Sequence, residues 1–482
     1  MRWSFVFKYV GAVTFILGLN LLLPLAFSLY YREGDTAALL SSIGMALAAG
    51  AFLFLVFRKE KNDTISQREA MAIVALGWTA AAFFGAFPFY FAGVFDTFAD
   101  CFFESMSGFT TTGASMMTHI ETVPHGLLFW RSYIQWLGGM GIIVLAIAIL
   151  PLLGVGGYQL YKTEVPSPTP DRLKPRIRDT AKTLWKVYLA FTLLATLLLM
   201  AGGMGFFDAT CHALTTLPTG GYSPKNLSVA HFDSAYIDVV IIVFMVAAGL
   251  NFSLHYQLLT GKPLVYWKNP ESRFFLGLIL ILCTAVYVDL FGTVYHSIGD
   301  TLRYGTFQVV SIITTTGFAT ADFDQWPSMS KMILFFCMFF GGCAGSTAGG
   351  MKMLRLLCAI KYCYKELFNL LHPHGVSSVK IAGKVVSDDI MRSILGFLSL
   401  YIALFALCAV VLAGMGVDFI TSLSAVAATI GNIGPGLGAV GPVENYAGIP
   451  YFGKWLLAWC MLLGRLEIYT VIIFLVPDFW RK

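Results

Sequence analysis

Two stretches of the chain set three threonines directly before a glycine: Thr110–Gly113 within GFTTTGAS, and Thr314–Gly317 within IITTTGFAT. The chemistry available there is that of oxygen, from the threonine hydroxyls and the backbone carbonyls. Threonine is a poor helix interior because its branched Cβ restricts χ1, and glycine frees the backbone for positive φ. Each stretch therefore predicts a short extended segment where regular structure stops. Carbonyl oxygens turned toward one axis can replace the hydration shell of a hard, weakly hydrated monovalent cation such as K⁺. Calcium sites normally want carboxylates, and no acidic residue lies in these segments.

The elements that would hold such segments follow from composition. Of 482 residues 57% are hydrophobic and only 12% charged, with a mean hydropathy of +0.74. Soluble chains carry about twice that charged fraction. Apolar runs long enough to cross a bilayer lie near 9–31, 36–57, 70–95, 127–150, 183–204, 236–259, 274–297, 332–360, 393–415 and 455–476. Ten spans make this a polytopic membrane protein. The first run is too long for a signal-peptide core and lacks a small-residue cleavage site, so it is read as retained.

Lysine and arginine set the orientation. With a cytoplasmic N-terminus, 25 of the 32 fall in cytoplasmic segments, chiefly Lys162–Lys186 and Lys352–Arg392, and six lie outside. Both termini are thus expected in the cytoplasm. The net charge of +5 is this bias and no sign of nucleic acid.

Four outer segments share one layout. They begin near Asp100, Asp208, Asp300 and Asp418 and run through mostly apolar residues. They reach Gly113, Gly221, Gly317 and Gly434 after 13, 13, 17 and 16 residues. Aspartate is a good N-cap, and ten residues make a half-helix of about 15 Å, too short to span. The glycines recur 108, 96 and 117 residues apart, which predicts four-fold pseudosymmetry. The expected fold is all-α: four pseudo-repeated helix–pore helix–filter–helix units around one central pore, plus two extra N-terminal helices. The corresponding boundaries are 1–66 for the extra pair and 67–160, 161–262, 263–372 and 373–482 for the repeats. Half-helices aiming their C-terminal, partly negative ends at the axis favour a cation. The expected K⁺-binding residues are Thr111, Thr112 and Gly113; Thr219, Gly220 and Gly221; Thr315, Thr316 and Gly317; and Asn432, Ile433 and Gly434.

Other features have two readings. The run GGCAGSTAGG, Gly341–Gly350, fits close helix packing through small-xxx-small pairs or a broken helix whose loop, with Gly345 and Gly349, blocks a path. Arg465 lies inside the last run, where a buried arginine normally faces a cavity or a partner. Glu467 is not its obvious intrahelical mate. Lys352 can belong to the blocking loop or simply snorkel. Glu104 is expected to be a structural acceptor or, in the second reading, to attract cations at the mouth, while Arg131 and Gln135 would anchor pore helices. The nine cysteines are scattered through apolar runs and the eight histidines are dispersed, so no metal site is expected. Gly436, Gly438 and Gly441 match G-x-G-x-x-G, but without a preceding strand the dinucleotide reading fails. No nucleophile, base or metal constellation points to an enzyme. A coupled carrier driven by H⁺ or Na⁺ would need titratable groups in its path. Asp238, Asp289 and Glu467 are the main candidates.

The quartet TTTGAS, LPTGGYS, TTTGFAT and NIGPGLG, with the ten-span layout, resembles the membrane subunit of bacterial Trk-type potassium uptake systems. That family belongs to a superfamily with the Ktr and plant HKT transporters. The resemblance covers essentially the whole chain. It implies channel-like K⁺ uptake across the bacterial inner membrane, with the loop that holds Gly345 and Gly349, and Lys352 just past it, as an intramembrane gate. The fixed positive charge of Arg465, repelling a cation, would be the barrier behind that loop. It also implies a homodimer in membrane lipid with one pore per subunit, a cytosolic nucleotide-binding regulatory partner and no organic cofactor. Four non-identical filters predict looser K⁺ over Na⁺ discrimination than in tetrameric potassium channels.

Overall fold

The structure, a computed structural model, describes residues 1–58, 66–148, 177–375 and 377–480. Lys59, Lys61, Lys162, Arg172, Lys174, Arg176, Arg481 and Lys482, part of the charge asymmetry above, lie outside the described residues, as do the last residues of the expected span 127–150.

The chain is a helical membrane protein. Two antiparallel arms, Trp3–Tyr31 and Thr36–Val56, pack together at the N-terminus. Helix Gln67–Gly85 follows, started by a capping box in which Ser66 and Glu69 satisfy each other's backbone N–H. Arg2 pairs with Glu69 at 2.9 Å, which ties the extra pair to the base of the next unit.

Four short helices follow at intervals: Phe98–Phe109, Phe206–Thr216, Ile298–Ile313 and Phe419–Ile430. At 1.5 Å per residue none reaches the roughly 30 Å of a bilayer core. Their starts correct the sequence reading. Only Asp418 is an N-cap. Asp100, Asp208 and Asp300 sit at the third helical position, behind Thr97, Gly205 and Ser297. There a carboxylate still meets the positive end of the helix dipole, and Thr97 supplies the cap oxygen to the Asp100 N–H. Sequence spacing placed the acidic residues correctly within a turn but not at the cap.

The helices after these short ones also depart from expectation. Six described helices are long and apolar enough to cross a membrane, or eight if each of two bent pairs is one span. The expected span 236–259 is Ala235–Gly249 plus Phe252–Leu259, bent by 105°, and 455–476 is Tyr451–Arg465 plus Tyr469–Leu475, bent by 116°. The expected span 332–360 is Ser328–Cys337, a non-helical stretch, then Met353–Leu371. Each break is chemically compensated. The Gly249 carbonyl accepts from the Cys343 N–H at 2.8 Å, and the Phe252 N–H donates to Gly345 O at 3.1 Å. At the other bend, Glu467 and Ile468 adopt φ of 62° and 46°.

His125–Ala148, Ile177–Ala201, Pro270–Leu290 and Asp388–Gly414 complete the long helices. Leu280, Ile281, Val288, Leu407 and Val410 lie exposed on them, as an apolar surrounding would require. A hairpin, Lys380–Ile381 against Lys384–Val385, precedes Asp388–Gly414.

Candidate functional site

Each short helix ends in the same way. The N–H groups of Thr112, Gly220, Thr316 and Ile433 donate to Ser107, Thr215, Ser311 and Ala428 O at 2.8, 2.9, 2.8 and 2.8 Å. The preceding N–H groups, of Thr111, Thr219, Thr315 and Asn432, donate to Gly108, Thr216, Ile312 and Thr429 O. These paired bonds are the Schellman cap, which needs a left-handed residue where the helix stops. That residue is normally glycine. Here it is Thr111 (φ 51°), Thr219 (57°), Thr315 (59°) and Asn432 (54°). Asparagine tolerates this region; a β-branched threonine is strained there, at about 1–3 kcal/mol each. Sequence reasoning gave the special torsion to the glycines and missed these positions. No glycine marks them, so no composition signal could have found them.

The glycines carry a second left-handed torsion, Gly113 at 83°, Gly221 at 73°, Gly317 at 82° and Gly434 at 101°. Their missing side chains also close a ring. A Cβ on Gly113 would overlap Gly220 O, one on Gly221 would overlap Thr316 O, and one on Gly317 would overlap Ile433 O. A Cβ on Gly434 would stand 2.8 Å from Thr112 O. First segment thus meets second, second third, third fourth, and fourth first. All twelve residues expected from sequence at this site are brought to one place, and all four glycines line one cavity of about 130 Å³. Thr111 Oγ1 and Asn432 Oδ1 are buried without a hydrogen-bond partner among the described residues.

A buried polar network fixes the ring from behind. Arg131 Nε donates to Glu104 Oε1 at 2.6 Å, its Nη1 to Ser223 O at 2.9 Å, and its guanidinium lies 3.6 Å over the Tyr222 ring. Glu104 also accepts from the Met116 N–H at 2.7 Å. Gln135 brackets the second segment, donating to Gly220 O at 2.7 Å and accepting from the Tyr222 N–H at 3.2 Å. The fourth segment is held to the first by Asn432 Nδ2 on Thr112 Oγ1 at 3.0 Å. Outside the membrane-spanning helices, the Thr421 hydroxyl and N–H hold the Asp418 carboxyl below its ordinary value. Glu104 is thus a structural acceptor, and Arg131 and Gln135 are anchors.

The non-helical stretch 338–352 lies directly against this ring. Gly349 N–H donates to Thr315 Oγ1 at 2.7 Å, and Thr347 Oγ1 donates to Leu217 O at 2.8 Å. Gly345 (φ 77°) packs on Asn251 at the bend. The close-packing alternative for Gly341–Gly350 as a continuous helix is therefore overturned; the freed backbone groups are met by neighbouring elements. Glu271, which the sequence did not single out, accepts from the N–H groups of Ala344 and Leu354 at 2.7 and 3.0 Å. Lys352 turns inward to Ala348 O, which replaces the snorkelling alternative.

Arg465 is the last residue of its helix, not a mid-helix residue, and is buried. Its Nη1 donates to Thr347 O at 2.7 Å and its Nη2 to Gly138 O at 3.2 Å. Glu467 pairs instead with Arg355. Asp238 pairs with Arg303 at 2.6 Å, and Asp289 accepts from the Ser330 hydroxyl at 2.6 Å. Among the described residues no group of three metal-ligating side chains occurs.

The family described as cation transport protein TrkH matches residues 39–482. The Trk system potassium uptake protein TrkH of Salmonella typhimurium and that of Escherichia coli K12 are each 41% identical to this chain over the full length of both. The Escherichia coli K12 protein TrkG is 36% identical over 98% of this chain and 97% of its own. The crystal structure of the potassium transporter TrkH from Vibrio parahaemolyticus superposes with a TM-score of 0.92, at 37% identity and with all of both chains covered.

Proposed function

This chain belongs to the TrkH family of cation transport proteins, ion transporters and not enzymes, and from that premise we propose that it takes up K⁺ through a channel-like path. The observation that carries the reading is the closed ring of four left-handed glycines, each against a carbonyl of the next segment. Backbone oxygens held at one axis replace water around K⁺, the transported ion. The twelve residues from Thr111 to Gly434 named above form the filter. The four units and the boundaries given from sequence describe the repeats around it.

Stretch 338–352, with Gly345, Gly349 and Lys352, is the closed gate beneath the filter, and Arg465 is its electrostatic barrier. Two unit charges 4 Å apart repel by about 4 kcal/mol at an effective dielectric of 20, about a thousandfold in rate. That is enough to stop conduction until the loop and arginine move. The alternative, H⁺ or Na⁺ coupling, is less well supported, because Asp238, Asp289 and Glu467 are all engaged in structural contacts.

The protein sits in the bacterial inner membrane with both termini cytoplasmic. Trp3 stacks on Trp480 with ring centroids 5.6 Å apart, which supports a shared face for the two ends. A homodimer and a cytosolic nucleotide-binding regulator complete the reading.

The test is ⁸⁶Rb⁺ flux into proteoliposomes with Na⁺ as competitor. Gly113→Ser and Gly317→Ser should each lose discrimination against Na⁺ by about tenfold while the protein stays folded. Unchanged competition in both variants removes these glycines from the filter. A reversal potential that follows the H⁺ or Na⁺ gradient selects the coupled alternative.

A further inference from the structure

The bent segment after Ala235–Gly249 makes a feature that the transport path does not use. Helix Phe252–Leu259 turns away by 105°, so it runs across the membrane normal. The chain then passes through the short helix Val265–Lys268 before Pro270–Leu290 enters the apolar layer. Between these pieces lies a cavity of about 520 Å³, within the range of ligand pockets. Its walls include Leu254, Gln257 and Leu264, its rim carries Lys262 and Lys268, and Ala382 of the hairpin tip closes one side.

Two properties are unusual together. No acidic residue lines the cavity, and among the described residues neither lysine is in an ion pair. Leu264 of its lining is exposed, as are Tyr256, Leu258, Leu259 and Trp267 of the same helices. A pocket for a free inorganic anion would present polar walls. Apolar walls under a cationic rim, flanked by a tryptophan and a tyrosine, match an amphiphile at the membrane–water boundary.

We propose that this pocket binds an anionic phospholipid, with the phosphodiester between Lys262 and Lys268 and the acyl chains along the apolar walls of Leu254, Leu264 and Val265. Each basic side chain near a membrane surface adds attraction for anionic headgroups, whereas a zwitterionic lipid gains little. The helix that supplies Leu254 and Gln257 meets stretch 338–352 at its far end, where the Phe252 N–H, outside the cavity, donates to Gly345 O at 3.1 Å. The proposal rests on the membrane character of the chain and stands apart from the filter and gate.

Native mass spectrometry of the full chain, purified with equal phosphatidylglycerol and phosphatidylcholine, tests it. The parent should retain one phosphatidylglycerol per chain in preference to phosphatidylcholine. Lys262→Gln with Lys268→Gln should lower that retention about tenfold or more. A charge-matched control, Lys361→Gln with Lys365→Gln, should retain it. Equal retention of both lipids by the parent, or undiminished retention by the Lys262/Lys268 double variant, overturns the site. So does protection of Lys262 from acylation by inorganic phosphate alone, which would make it a phosphate pocket. Protection in lipid-free protein by a second copy would make the same face a protein contact.

Discussion

The outer and inner halves of this molecule follow opposite rules. In the outer half four segments repeat one solution: a short helix, a Schellman cap with a left-handed Thr or Asn, and a left-handed glycine against the neighbour's carbonyl. In the inner half the described helices share no single solution. One span bends by 105°, one by 116° with the buried Arg465 at its bend, and one is interrupted over 338–352 with the buried Arg355 just after the interruption. The difference follows from what each half is proposed to do. Coordinating an ion from all sides calls for equivalent groups, whereas blocking a path calls for one movable piece and something to hold it.

Even the outer repetition is not perfect. Thr315 Oγ1 accepts from the gate stretch, Thr111 Oγ1 has no partner among the described residues, and Asn432 reaches sideways to Thr112. Stretch 338–352 therefore meets the ring unevenly: the third segment through Thr315, the second through Leu217 O, and the fourth by packing of Gly349 on Asn432.

The sharpest way to break the comparison is to unfasten the outer half. Glu104 and Arg131 are both buried, and removing one member of such a pair costs about 3–5 kcal/mol because the other charge is left unpaired. Glu104→Gln should lower the thermal midpoint by several degrees and reduce Rb⁺ over Na⁺ discrimination with it. A variant that keeps parental melting and competition would show the network to be incidental to the ring.

Arg465→Ala attacks the inner half alone. It removes the bonds to Thr347 O and Gly138 O and the fixed charge together. Flux at matched protein should rise about tenfold or more, with Na⁺ competition unchanged because the ring is untouched. Flux at or below the parental level would make the arginine a packing element.

The smallest effect separates two threonines of identical cap geometry. Thr315→Val removes the acceptor of the Gly349 N–H, a bond worth about 1 kcal/mol, or about fivefold in a closed–open equilibrium. Basal flux should rise accordingly, while Thr111→Val, which takes nothing from the gate stretch, leaves it unchanged. Equal responses from the two variants would mean that the gate does not lean on the third segment.

Much of this was legible in the chain itself. Long apolar runs dictate helices because backbone polar groups must be satisfied within the segment in an apolar medium. Thr-Thr-Thr-Gly, recurring behind short apolar stretches, marked where helix stops and carbonyls are free. The expense of burying Arg465 marked it as a residue needing partners. Those inferences depend on local chemistry and period, which sequence records directly. Tertiary structure alone decided the rest. The left-handed torsions at Thr111, Thr219 and Thr315 are unfavourable for threonine and exist because the ring around them holds them there. The bends at Leu250 and Glu467 contradict the apolar pattern; beside the first, Gly249 O and the Phe252 N–H are met by the distant stretch 338–352, and the second is a strained turn just beyond Arg465. A hydrogen bond between residues a hundred positions apart, such as Arg465 to Thr347 O, leaves no trace in spacing, because it depends on where the folded helices bring the two groups together.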